Sequence, residues 1–338
     1  MNNILVIGNG FDIAHGLKTK YSDFMEYIIE IDNASVLEED DFKKLVCSSK
    51  FIEYFIKYKD RLQLEYWADF EEVIHRVVNH IILFMDNPTW EGKMEVPSKN
   101  RFTAERREIL LTFNFIEKGD FGYKILPKYY RRGYGAKWNN IKNYLRDELD
   151  KLKKALSMYL TMQIRNSNSD IKLQQIENIN PKRVISFNYT YTYKRYGISN
   201  ENAILVHGSL SKNNIVLGYE DDSLNSIDDI YFKKYFQRIQ NRTDRIEEKD
   251  FKTDELVNVG IGKARVSMAA HLYGLSLDIT DIELIKLIYH NVTEFNVYYL
   301  DQNDYEEKVI NLIKILGKEQ FLTDYNAKRI RYIKIVQE

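Results

Sequence analysis

Asn3-Ile4-Leu5-Val6-Ile7-Gly8-Asn9-Gly10 decides the fold: four consecutive apolar residues run straight into a glycine turn. A short, uniformly apolar run is what a strand buried on both faces of a parallel sheet carries. Glycine directly after it lets the chain turn sharply into a helix. Working outward, the same signature returns at Arg183-Val184-Ile185-Ser186-Phe187 and at Ala203-Ile204-Leu205-Val206-His207. Further strands are expected within 266–277, at 295–300 and at 330–336, with a short one at 215–217. Helical spacing is expected over 281–289 and 305–316. This alternation predicts an α/β, Rossmann-like parallel sheet with helices on both faces.

The stretch between the first two strands is far too long for one crossover. Apolar residues recur at helical spacing through most of 20–87, with Trp67, Phe70, Ile74, Val77, Val78 and Ile81 on one stripe. Residues 87–134 hold Pro88, Pro97 and Pro127 and the pairs Arg106-Arg107 and Arg131-Arg132, and read as irregular with one helix near 104–115. Helix resumes over 138–164. The expected organisation is therefore a first strand and helix over 1–38, a large mainly helical insertion or lid over 39–180, and the rest of the core over 181–338. Within the last part, 220–260 is polar and reads as a surface insertion.

The bulk properties narrow the function classes. At 338 residues, one large domain with an insertion or two domains are expected. A net charge of −1 supplies no global pull toward nucleic acid or anionic membrane, although the arginine pairs leave a local nucleic-acid surface open. Cys47 is the single cysteine, which excludes an intrachain disulfide and a cysteine zinc cage. Its helical surroundings predict a packed, half-buried thiol. No signal core opens the sequence and no apolar run approaches the ~18 residues of a membrane span, so a cytoplasmic, membrane-free protein is expected. The 25 tyrosines read as half-exposed aromatic packing.

Five constellations carry candidate chemistry. Gly8-Asn9-Gly10-Phe11-Asp12, running to His15-Gly16-Leu17, suits either a phosphate cradle of backbone amides or a tight turn alone. Asp12 repels a pyrophosphate unless it faces a ribose, a metal or a helix N-terminus. Ser186-Phe187-Asn188-Tyr189-Thr190 ends the second strand, where Asn188 suits a ribose hydroxyl or an ordered water, or caps the next helix. Leu205-Val206-His207-Gly208 ends the third, and His207 is the best general-base candidate among six histidines. Tyr273-Gly274-Leu275-Ser276-Leu277 offers backbone amides to the same crevice. Ser276 is not read as a nucleophile, because the closing glycine of a nucleophile elbow is missing, and Asp281 is expected to cap the helix that follows. Finally, Asp69, Glu72 and His75 or Arg76 share a helix face by three- and four-residue spacing, which reads as a solvated charged face before a metal site.

Taken together these segments resemble the AbiH-type phage abortive-infection proteins. The resemblance rests on Gly8 to Leu17 with Thr19, Tyr21 and Phe24, on Trp67-Ala68-Asp69-Phe70-Glu71, on Phe187-Asn188-Tyr189-Thr190 with Thr192, and on His207-Gly208, Gly218 and Tyr273 to Leu277. It implies a role in defence against phage without supplying a reaction. A more distant similarity, to sirtuin-type NAD-binding domains, addresses the chemistry. Gly8, Gly10, Gly16 and Leu17 match the spacing of their first turn, and Asn188, His207-Gly208 and Gly274-Leu275-Ser276-Leu277 follow in the same order. The four-cysteine zinc module of deacylating sirtuins is missing, and Asp12 stands where they carry a small hydroxyl residue. The resemblance thus implies an NAD glycohydrolase with His207 and Asn188 as catalytic residues. Gly8, Asn9, Gly10, Asp12, His15, Gly16, Gly208, Gly274 and Ser276 would then bind NAD, without a metal. Such an enzyme must stay silent until infection, so a homo-oligomer is expected, and oligomerisation, a phage-derived trigger or a partner defence protein is expected to switch it on. A nucleotide-binding sensor without turnover and a metal-dependent nuclease are the alternatives.

Overall fold

The structure is a computed structural model. It describes residues 2–33, 41–62, 67–85, 95–97, 103–119, 122–126, 128–131, 135–136, 138–167, 171–220, 227–251, 256–259, 262–265, 267–277 and 281–336. Side chains over 58–69, 85–102, 130–138 and 252–266 lie outside that description, which takes in Asp69 and the pair Arg131-Arg132.

Six strands form the main sheet: β1 Asn2–Ile7, β2 Arg183–Ser186, β3 Ala203–Leu205, β4 Met268–Tyr273, β5 Glu294–Tyr299 and β6 Ile330–Lys334. Every neighbouring pair is parallel, in the order β3-β2-β1-β4-β5-β6. That is the doubly wound order in which the direction of winding reverses between β1 and β4. β1 earns the centre by being apolar on both faces: Ile4, Leu5, Val6 and Ile7 are all buried. Ile4 and Val6 pack with α10 Ile282–Asn291, α11 Gln302–Leu316 and α12 Lys318–Asn326 through Ile288, Leu312 and Phe321. Leu5 and Ile7 pack on the other face with Phe11 of α1 Asn9–Ala14, Ile176 of α8 Gln174–Ile179, and Tyr193.

Two compact units divide the chain. The sheet unit comprises 1–19, 160–216 and 238–338, and the helical unit comprises 20–159 and 217–237. In the helical unit lie α2 Tyr21–Asn33, α3 Asp41–Ser48, α4 Lys50–Leu62, α5 Trp67–Met85, α6 Ala104–Thr112 and the first part of α7 Trp138–Asn166. Its core is aromatic. Tyr21 stacks on Phe70 at 4.1 Å between ring centroids, Phe55 lies against both, and Phe51 meets Phe113 edge-on.

The structure adds detail to the expected organisation. The first piece of the sheet unit closes at residue 19, and the chain returns to it at 160. The 87–134 stretch carries a three-stranded antiparallel sheet of Glu95–Pro97, Gly122–Ile125 and Ile116–Lys118 beside α6. The 220–260 insertion carries α9 Lys234–Gln240 and a strand pair, Leu256–Val259 with Gly262–Arg265. Residues 215–217 form no strand. Cys47 is exposed, because the buried stripe of α3 runs through Phe42 and Val46 and the next residue is turned about 100° away. Among the described residues no helix is long and apolar enough to cross a membrane.

Candidate functional site

The residues predicted to cleave or bind NAD all belong to the sheet unit, and most gather at the carboxyl ends of β1 to β4. The β1 and β4 turns are locked together. Gly8 N–H donates to Tyr273 O at 3.2 Å and Gly10 N–H to Gly274 O at 2.9 Å. A Cβ on Gly10 would lie 2.7 Å from Gly274 Cα, and one on Gly274, whose φ is +65°, 2.2 Å from the Phe11 nitrogen. These two glycines are therefore demanded by the backbone approach. The Gly8 and Gly10 amides, expected to face a phosphate, are occupied by protein carbonyls.

Asn188 ties β2 to this turn: its Nδ2 donates to Gly8 O at 2.9 Å. Thr190 donates to Asp12 Oδ2 at 2.6 Å, while the buried Asp12 Oδ1 accepts no hydrogen bond among the described residues. Burial raises the Asp12 carboxyl from 3.8 to about 6, opposed by hydrogen bonds from Thr190, Thr192 and Asn188 and by the charge of Arg195. Asp12 is thus an uncommon buried acid, half-satisfied by the protein and poised near neutrality.

His15 has no ring nitrogen to offer a ligand. Its Nδ1 donates to Phe11 O and its Nε2 accepts from Tyr196 OH, both at 2.6 Å, and that hydroxyl accepts from Leu173 N–H. Desolvation pushes the ring down to about 4, so it stays neutral as a latch between α1 and the 3₁₀ turn Thr192–Tyr196. Gly16, at φ +79°, ends α1, with its N–H on Ile13 O and that of Leu17 on Asp12 O. Asn9 Oδ1 accepts from the buried Thr19 hydroxyl at 2.6 Å. These residues therefore build the site's wall.

His207 follows β3 and is buried, with its Nε2 2.9 Å from Asp281 Oδ1. Phe187 lies edge-on to the ring, and Arg238 Nη1 is 3.6 Å from the same carboxylate oxygen. Asp281 does occupy the expected capping position before α10, yet its side chain makes no cap hydrogen bond. The partnership joins residues 74 apart and left no local trace in the sequence. Gly208 sits against Asn214, whose Oδ1 accepts from Ser209 N–H. Ser276 is exposed, and the buried Leu277 beside it holds φ +57°, a conformation leucine seldom adopts.

Two further predictions resolve elsewhere. On α5, Glu72 is largely exposed near His75, as a solvated face requires, but its neighbour Glu71 is buried against Lys234 at 2.8 Å within the helical unit. Among the described residues no three His, Cys, Asp or Glu side chains stand close enough to hold a metal. A cavity of about 400 Å³ opens over β4 to β6 beside Asn3, His271, Asn296, Tyr298 and Arg331, and no predicted site residue lines it.

Compared with known proteins, the chain matches one family model, described as bacteriophage abortive infection AbiH, over residues 4–300. No curated protein and no solved structure matches it.

Proposed function

The chain belongs to the bacteriophage abortive infection AbiH family, whose role is defence against phage, and from that premise we propose that it is an NAD glycohydrolase. One observation carries the reading: Asn188, bonded to the β1 turn, and a carboxylate-bonded His207 follow the ends of adjacent parallel strands. Ligands of open α/β sheets lie along that edge.

In the proposed reaction the bond from nicotinamide nitrogen to ribose C1′ breaks, and its electron pair leaves with neutral nicotinamide. Water adds to the oxocarbenium-like C1′ and gives its proton to His207, which passes it to solvent. Such a reaction needs a positioned ribose and a held water more than a strong nucleophile. Asn188 orients the ribose or the water through its side-chain oxygen, since its amide nitrogen is committed to Gly8. Asp12, with one unpartnered oxygen, supplies an acceptor for a ribose hydroxyl. Because the Gly8 and Gly10 amides are occupied, the pyrophosphate must find its donors beyond them.

The test is to incubate the purified full chain with NAD and follow nicotinamide release, beside His207→Ala and Asn188→Ala. Loss in both variants supports the assignment, and equal activity in all three removes it. No release, even at high protein concentration and with lysate of infected cells, sinks the enzymatic reading. A sensor that binds a nucleotide without turnover is the second reading, favoured by those same occupied amides. It predicts saturable NAD binding with no nicotinamide formed.

A further inference from the structure

We infer that Asp281 is the positioning residue of His207, fixing the imidazole as the tautomer that carries its proton on Nε2 and its lone pair on Nδ1. This rests on the glycohydrolase reading for its chemical purpose, though not for its geometry. A carboxylate accepts and cannot donate, so an oxygen 2.9 Å from Nε2 selects the Nε2–H form of a neutral ring. The lone pair that takes the proton from water is then on Nδ1.

Three features make the arrangement specific. Asp281 stands at the position from which an aspartate ordinarily caps a helix, yet its side chain caps nothing in α10 and faces His207 instead. The side chains are largely withdrawn from water, His207 at 7%, Asp281 at 15% and Arg238 at 18% exposed, so the bond is little weakened by solvent. Arg238, from the last turn of α9, places its guanidinium 3.6 Å from the same carboxylate oxygen, a charge that favours the ionised, accepting form of Asp281. Among the described residues, Asp281 before α10 and the Phe187 ring beyond β2 meet the imidazole, and Arg238 of α9 lies near the same carboxylate.

The experiment uses the full chain labelled with ¹⁵N-histidine, the His207 signals being assigned by difference against His207→Gln. Long-range ¹H–¹⁵N correlations at neutral pH report the tautomer directly. Wild type is expected to show Nε2–H. Asp281→Ala is expected to lose that preference and to lower kcat for nicotinamide release by about tenfold or more, with KM within about twofold. Asp281→Asn keeps an acceptor oxygen and is expected to restore the tautomer and part of the rate. A residue that merely braces the loop would lower stability in both variants while leaving the tautomer untouched, and that result overturns the proposal. So does an Nδ1–H signal in wild type. If no nicotinamide is released at all, the glycohydrolase reading fails, and the tautomer alone decides the role of Asp281.

Discussion

The Thr190 hydroxyl donates to Asp12 Oδ2 at 2.6 Å and ties the segment after β2 to α1. Burial of the carboxylate outweighs the hydrogen bonds from Thr190, Thr192 and Asn188 and the charge of Arg195, which is why the Asp12 carboxyl rises from 3.8 to about 6. Its protonated form is the one the fold prefers. The stabilisation is fully present below pH 3.8 and is lost as pH rises through about 6. A rise of that size corresponds to about 3 kcal/mol held against the folded state at pH 8.

Asp12→Asn is therefore expected to stabilise the protein at pH 8 by about 1–3 kcal/mol and to do little at pH 4. Urea unfolding at the two pH values measures the difference. If Asp12 also meets the ribose, the same variant loses nicotinamide release while gaining stability, a combination that a residue with only a folding role does not give.

The latch at His15 has the opposite sign. Its ring is pushed down to about 4, so its contribution is present above pH 6.5 and fades as pH falls toward 4. Tyr196→Phe removes the hydroxyl that serves both His15 and Leu173, and should cost about 1–3 kcal/mol at pH 7.5. The loss should shrink toward pH 4.5. A constant loss across that window would show that the latch does not depend on a neutral ring.

Gly10→Ala and Gly274→Ala test the locked turns. Each introduces a methyl within 2.7 Å of opposing backbone, so the β1 and β4 ends must part. A loss of about 1–3 kcal/mol or more is expected from overpacking alone, with added strain at Gly274. Soluble yield and thermal unfolding read it, and wild-type melting for both would remove the close-packing role.

In the helical unit, Glu71→Ala removes the carboxylate 2.8 Å from the buried Lys234 ammonium and should cost about 3–5 kcal/mol. Replacing both partners, Glu71→Leu with Lys234→Met, should recover most of that, as chemical denaturation of the two variants would show.

The strands were legible because burial on both faces leaves unbroken apolar runs, as at Ile4 to Ile7 and Val184-Ile185. The sheet order was not, since nothing local in a strand names its neighbour. α12 went unread because Gly317 both ends α11 and starts the next helix, so no loop separates them. In the candidate site, Asn188 and His207 were visible as polar residues closing apolar runs. Asp281 was visible only in a capping role, and Arg238 lay in an insertion taken as polar surface. Their pairing is a product of chain return, which spacing does not record. The partner of His15 was unreadable for a similar reason: the hydroxyl on its Nε2 arrives from residue 196.

The central place of β1 also governs when the protein becomes itself. β1 pairs with residues 183–186 on one side and 268–273 on the other. On a ribosome adding ~5–20 residues per second, the second neighbour emerges on the order of tens of seconds after the first turn has been made. Asp281 follows later still. A nascent chain, or one cut short, holds Gly8, Asp12 and His15 without the groups that would make them a site. The order of synthesis thus acts as a timer: the first-made turn waits for strands and side chains encoded more than 250 residues later before it can become part of a site.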